Sequence, residues 1–197
     1  MKTLIATNGS VRKSHRAVST LALASFAAAL LFSSGAQAKE SPLAAKGEKL
    51  YTKFSLFQEE NAHRTTNYRV GVLVPINTEV KFVKSDSKNI SVTTADGQEL
   101  RIANIQEYSG EDIKGVFNRT FGKEKVDLSK FSKLEKENIE QGTVEPGMSK
   151  DAVVAALGYP PKHQTPSLTG NAWRYWRNRF KTFIVHFKDD KVASVQN

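Results

Sequence analysis

Ser149-Lys150-Asp151-Ala152-Val153-Val154-Ala155-Ala156-Leu157-Gly158 is followed by three short apolar alternations, Ala172–Trp176, Thr182–Phe187 and Val192–Val195. Ser149 is a natural N-cap, Asp151 suits the positive end of the helix dipole, and Val153, Val154 and Leu157 supply an apolar side. Gly158 stops the helix and Pro160-Pro161 prevents its return. Asp189-Asp190-Lys191 reads as the turn joining the last two strands. Phe183, Val185 and Phe187 share one strand face, and Thr182, Ile184 and His186 share the other. Residues 142–197 are therefore expected to form a small two-layer domain, a helix on an antiparallel meander, which makes the fold class α+β.

Upstream, the period changes. Val70, Val72 and Val74 alternate with Gly71 and Leu73, and Val80, Phe82, Ile90 and Val92 continue in short β-branched runs. Asp96-Gly97 supplies a turn with positive φ between Ile90–Thr94 and Glu99–Ala103, a hairpin signal. Residues 67–108 are thus expected to be a β-rich module, a strongly bent sheet or SH3-like barrel. The N-terminal segment 39–66 is read as polar with a short helix, because Leu50, Phe54 and Phe57 fall at helical spacing. Asn61–Asn67 is read as a loop. Residues 109–141 are expected to be a helical connection. It opens at Ser109-Gly110-Glu111-Asp112, which has the form of a capping box. One helix there carries Ile113, Val116 and Phe117 and stops at Gly122. A second, more charged one carries Leu128, Phe131 and Leu134 and closes at Gly142, its Lys/Glu alternation a solvated face.

The first 38 residues carry a different signal. Lys2, Arg12, Lys13 and Arg16 precede an apolar run from Leu21 to Phe32, and Ala36-Gln37-Ala38 is a small-x-small cleavage site. This is the pattern of a secretory signal peptide cleaved after Ala38. The apolar run is shorter than the roughly 20 residues a bilayer requires. The chain has 29 basic and 20 acidic residues; without the four basic residues of the leader, 25 stand against 20, a net charge of +5. That balance favours acidic protein or anionic lipid surfaces, and gives no sign of nucleic-acid binding. There is no cysteine, which excludes disulfides, thiol catalysis and lipid attachment through an N-terminal cysteine. The mature protein is expected in the periplasm, with peripheral membrane association but no lipid anchor.

No catalytic constellation is legible. His63, His163 and His186 are far apart and lack metal-ligand spacing, nothing has the form G-x-S-x-G, and no cofactor motif is present. The strongest candidate for function is Trp173-Arg174-Tyr175-Trp176-Arg177-Asn178-Arg179-Phe180. Trp173, Arg174, Tyr175, Trp176, Arg177 and Arg179 have the composition of an interface hot spot. Alternation puts Trp173 and Tyr175 on one face, and Arg174 and Trp176 on the other. One face belongs to the core; the other either exposes a tryptophan between arginines or packs as well, with the arginines laid over it. The long loop Tyr159–Gly170 reads either as a contact site or as a simple connection.

Four pieces occur in order: Gly147-Met148-Ser149-Lys150-Asp151-Ala152-Val153, Leu157-Gly158-Tyr159-Pro160, Trp173-Arg174-Tyr175-Trp176 and Phe187-Lys188-Asp189-Asp190-Lys191-Val192. With these spacings, residues 142–197 resemble the SmpA/OmlA (BamE-like) domain family. The resemblance implies a small two-layer α+β fold, no catalytic activity and protein contacts at the inner face of the outer membrane, with β-barrel assembly components as partners. Members of that machinery are typically lipoproteins anchored through a cysteine after the signal peptide; Lys39 stands there in this chain. The same architecture is known in secreted β-lactamase inhibitor proteins. Two further function classes stay open: a module that binds a cell-wall ligand through the β-rich segment, and a stoichiometric inhibitor of a periplasmic enzyme.

Overall fold

Backbone pairing begins well before the alternation at Val70. The computed structural model describes residues 42–197, so the expected signal peptide and its expected cleavage site lie outside the described residues. In the segment read as helix and loop stand three strands: β1 (Lys49–Thr52), β2 (Leu56–Gln58) and β3 (Ala62–Arg64). The expected helix is therefore replaced by sheet. An isolated helix of so few residues is marginal. Leu50 instead pairs across from Val80, with Leu50 and Thr52 turned inward. The expected loop Asn61–Asn67 likewise contains β3, and His63, Thr65, Thr66 and Asn67 are buried.

Next come β4 (Val72–Val74), β5 (Glu79–Ser85), β6 (Asn89–Thr94) and β7 (Glu99–Ala103), the four strands read from the sequence. The turn between the last two has Gly97 at φ 83°, a backbone state that glycine adopts without strain. A bulge between Phe82 and Lys84 bends β5. Val80, Phe82, Ile90, Val92, Leu100 and Ile102 form the inner face of this β-rich part.

The connection departs from expectation at its start. Ser109 ends a short helix, α1 (Gln106–Ser109), rather than capping one, because its hydroxyl donates to Asn104 Oδ1 at 2.7 Å. The cap of α2 (Ile113–Thr120) is Asp112, whose carboxylate accepts from Gly115 N at 2.8 Å. That helix gives way to β8 (Phe121–Gly122), which pairs with β1. The resulting six-stranded sheet has the order β3-β7-β6-β5-β1-β8, with β3 parallel to β7, and β2 and β4 form a separate ribbon.

The second layer consists of α3 (Lys133–Gln141), α4 (Lys150–Leu157), β9 (Ala172–Trp176), β10 (Thr182–Lys188) and β11 (Lys191–Gln196), the strands ordered β11-β10-β9. The last helix and the three strands stand where the sequence placed them, but Leu128 and Phe131, expected on the charged helix, precede α3. Asp189 and Asp190 form the last turn, both at positive φ. Gly158 ends α4 at φ 72°, where a Cβ would lie 2.8 Å from the Phe54 ring. Among the described residues the protein is thus mixed α+β, β-rich, with four helices and a curled sheet. Among the described residues no helix is long and apolar enough to cross a membrane.

Three residues of the charged helix, Glu135, Asn138 and Ile139, are not on a solvated face. Glu135 is buried, and its carboxylate accepts from Ser132 N and Oγ at 2.8 and 2.9 Å, and from Ser149 N and Oγ at 2.8 and 2.7 Å. A single carboxylate thus joins the N-caps of α3 and α4. Burial raises its pKa, but the hydrogen bonds from Ser149 and Ser132 outweigh burial and hold it down to about 2. Because the folded value lies below the ordinary 4.5, the stabilisation is present above pH 4.5 and is lost as pH falls through about 2. Glu135→Gln removes the charge and half of the acceptor capacity. It is expected to lower stability by about 2 kcal/mol, read as a lower urea midpoint at neutral pH and a flattened acid limb.

Candidate partner-binding face

The aromatic-basic strand divides as its alternation requires. Trp173 and Tyr175 are 1% and 0% exposed. Trp173 packs on Phe187, Tyr175 stacks on Phe183, and the Tyr175 hydroxyl donates to Gly158 O at 3.0 Å. These two candidates are core residues and are removed from the contact set, since the meander must bury one face against α3 and α4. Burial also pushes the Tyr175 hydroxyl pKa well up.

Arg174 and Trp176 do face outward, and both are half-buried. Arg174 Nη1 donates to Thr182 Oγ1 at 3.3 Å. Its backbone N–H donates to the buried Thr165 hydroxyl at 3.0 Å, so the long loop closes one end of the β9 edge. Trp176 is not the open tryptophan that a hot spot would need, because Tyr68 covers it edge-on with the ring centroids 6.1 Å apart. Tyr68 arrives there because residues 68 and 69 run parallel to the end of β9, with Arg69 N donating to Arg177 O at 3.1 Å.

Exposure is concentrated one step further on, in the β9–β10 turn. Arg177, Arg179 and Lys181 are exposed, and Phe180 is 80% exposed. Asn178 fixes this turn: its Oδ1 accepts from Phe180 N at 2.9 Å and Lys181 N at 3.0 Å, the local bonding for which asparagine is favoured in turns. The Arg179 guanidinium lies 5.0 Å from the centre of the Phe180 ring and that of Arg177 lies 5.1 Å from Phe183. Val70 and Val72, the latter 64% exposed, were missed as surface residues because alternation groups them with the buried Val74. Phe180 closes the quoted cluster but was not among the six candidates; the asparagine two residues earlier is the signal that places it on a turn.

Beneath this turn lies a half-buried cation. Arg69 stacks over Phe57 at 4.7 Å and donates to Leu157 O at 3.3 Å and to Gly142 O. These carbonyls belong to the last residue of α4 and the C-cap of α3. Burial lowers the Arg69 pKa to about 10, Tyr175 opposes that shift, and nearby Arg177 adds to it.

The histidines do not assemble. His163 meets the Tyr108 ring at 4.5 Å, His186 Nε2 lies 3.0 Å from Gln196 Oε1, and His63 is buried. Among the described residues no three His, Asp or Glu side chains gather as a metal-holding group. Comparison with protein-family models, curated proteins and solved structures gave no significant match.

His63 carries a measurable consequence. Its Nδ1 lies 2.9 Å from Phe57 O, so Nδ1–H donates there. Burial chiefly, with the positive Arg119 and Arg69, lowers its pKa from 6.5 to about 4. The folded state therefore resists protonation, and stability is complete above pH 6.5 and declines as pH falls from there to about 4. Denaturant titrations across that window are expected to show a loss of about 3 kcal/mol, which His63→Gln abolishes.

Proposed function

We propose that the chain is a non-enzymatic, exported cell-envelope protein that acts through protein–protein contacts in outer-membrane assembly or maintenance. In this reading the leader is removed after Ala38 and the protein works in the periplasm, at the inner face of the outer membrane. The observation that carries the reading is the β9–β10 turn, where a phenylalanine is held in solvent between cations by an asparagine. Isolated apolar side chains on a surface need no explanation, but this one is presented by a locally bonded turn and stands beside Val70 and a guanidinium pair. Exposed aromatics with arginine are the composition of interface anchors.

The contact residues in this reading are Arg174, Arg177, Arg179 and Phe180, with Trp176 and Tyr68 as their rigid backing. The SmpA/OmlA resemblance of residues 142–197 supplies the expected partner class, β-barrel assembly components. The SH3-like reading of residues 67–108 serves here as a support and not as the ligand site. His63, held neutral against a backbone carbonyl, acts as a core residue and not as a base.

Capture from detergent-solubilised envelopes checks this. The purified protein is expected to retain outer-membrane β-barrel components, and Phe180→Asp to reduce that retention about tenfold without shifting the melting temperature. Retention of only a soluble periplasmic enzyme, or of murein fragments, would move the function to an inhibitor or a wall-binding module.

A further inference from the structure

Two clefts flank the β9–β10 turn, and their charge is one-sided. The first, about 580 Å³, is walled by Tyr68 and Phe180 and rimmed by Arg64 and Arg179. The second, about 480 Å³, holds Arg69 and Arg177 above Phe57 and Phe183. Val70 and Asn178 line both, so the two clefts adjoin. Among the described residues Glu59 is the one carboxylate lining either cleft, and it already meets Arg64 at 3.8 Å. Arg69 is engaged by the two helix-end carbonyls. Arg177 and Arg179 are exposed and meet no carboxylate among the described residues; the former donates to the Asn197 amide oxygen.

The geometry points to one occupant: an extended acidic segment of a partner polypeptide, its apolar side chains in the two clefts and its carboxylates against Arg177 and Arg179. This rests on the partner-binding reading above and names the partner's chemistry. The charge selects an anion, and the apolar walls select one that carries side chains. An extended chain places alternate residues on opposite sides, so acidic and apolar positions can face the rim and the floor in turn. Guanidinium groups match carboxylates by two parallel hydrogen bonds. A flat anionic bilayer would meet the protruding turn and leave the recessed second cleft unfilled. A single nucleic-acid strand needs open aromatic faces on which to stack, and here Tyr68 is set edge-on to Trp176 while Phe180 carries a guanidinium.

The test uses the purified, isotope-labelled protein and two synthetic decapeptides, one alternating aspartate with leucine and phenylalanine, the other with lysine in place of aspartate. The acidic peptide is expected to bind in the micromolar range and to shift the amide signals of residues 68–72 and 177–181. Arg177→Glu and Arg179→Glu should each weaken it about tenfold or more, Arg179→Lys by far less, and added salt should weaken it throughout. Both arginines are exposed, and unchanged amide spectra outside the clefts verify folding of the variants. The inference is overturned if millimolar acidic peptide moves no signals, if the lysine peptide binds equally well, or if the charge reversals have no effect. It is also overturned if phosphatidylglycerol vesicles broaden these same signals while the peptide leaves them unmoved. If the peptide fails while capture of envelope partners still depends on Phe180, only the acidic-segment inference falls. If both fail, the partner-binding reading falls with it.

Discussion

The arrangement depends on two opposite charges placed at the two ends of a helix pair. Glu135 accepts from the N-caps of both α3 and α4, and Arg69 donates to carbonyls at the C-terminal ends of both. Two helices whose N-termini share one residue and whose C-termini share another must run parallel. Their dipoles then repel side by side, and each end gathers unsatisfied groups of one kind, N–H at one and C=O at the other. A carboxylate at the positive ends and a guanidinium at the negative ends is the matching answer in sign. It also explains how Arg69 is tolerated without a carboxylate. Burying a lone cation costs several kcal/mol, which the helix-end carbonyls and the face of Phe57 offset here.

Arg69 is one member of a longer seam. Ser55 Oγ donates to Ile139 O at 2.7 Å, Ser55 N to Ala155 O at 2.9 Å, and Asn67 Nδ2 to Leu157 O at 2.7 Å. The N-terminal segment is therefore not a lead-in to the fold; the residues between and after its strands bond the C-terminal turns of two helices that come much later in the chain. This is why its polar residues are buried, and why Ile76 enters the core of the second layer while Tyr159 packs against that of the first.

Legibility in the sequence follows the range of the determining interactions. The second layer was readable because its signals are local: Ser149 caps three residues ahead, two aspartates make a tight turn, and the strands alternate. The segment 49–67 was not, because the acceptors of Ser55 and Asn67 lie 84 and 90 residues away. Three apolar residues at helical spacing then had nothing to contradict them. The same rule covers Glu135, which sits between Leu134 and Lys136 in a charged run and whose second partner is Ser149, 14 residues on. At the proposed contact face, alternation correctly separated Trp173 and Tyr175 from Arg174 and Trp176. It could not say that Tyr68 would cover Trp176, nor that exposure would pass to Phe180, since apolar residues are assigned to cores by default.

The segment 67–70 shows how stability and surface are coupled in this fold. Asn67 turns the chain at φ 54°, and from Tyr68 onward it runs alongside the end of β9. Asn67 and Arg69 turn toward the helix ends, while Tyr68 and Val70 turn outward, where Tyr68 backs Trp176 and both line the first cleft. The residues that lock the helix pair thus set the positions of those on the proposed contact face, with no flexible linker between them. The turn bearing Phe180 is tied to the same segment through the bond from Arg69 N to Arg177 O. A face held this way loses little freedom when a partner docks, so more of the contact energy appears as affinity. It also follows that removing Arg69 would disturb the cleft as much as the core, which is why surface arginines, and not this one, separate binding from folding.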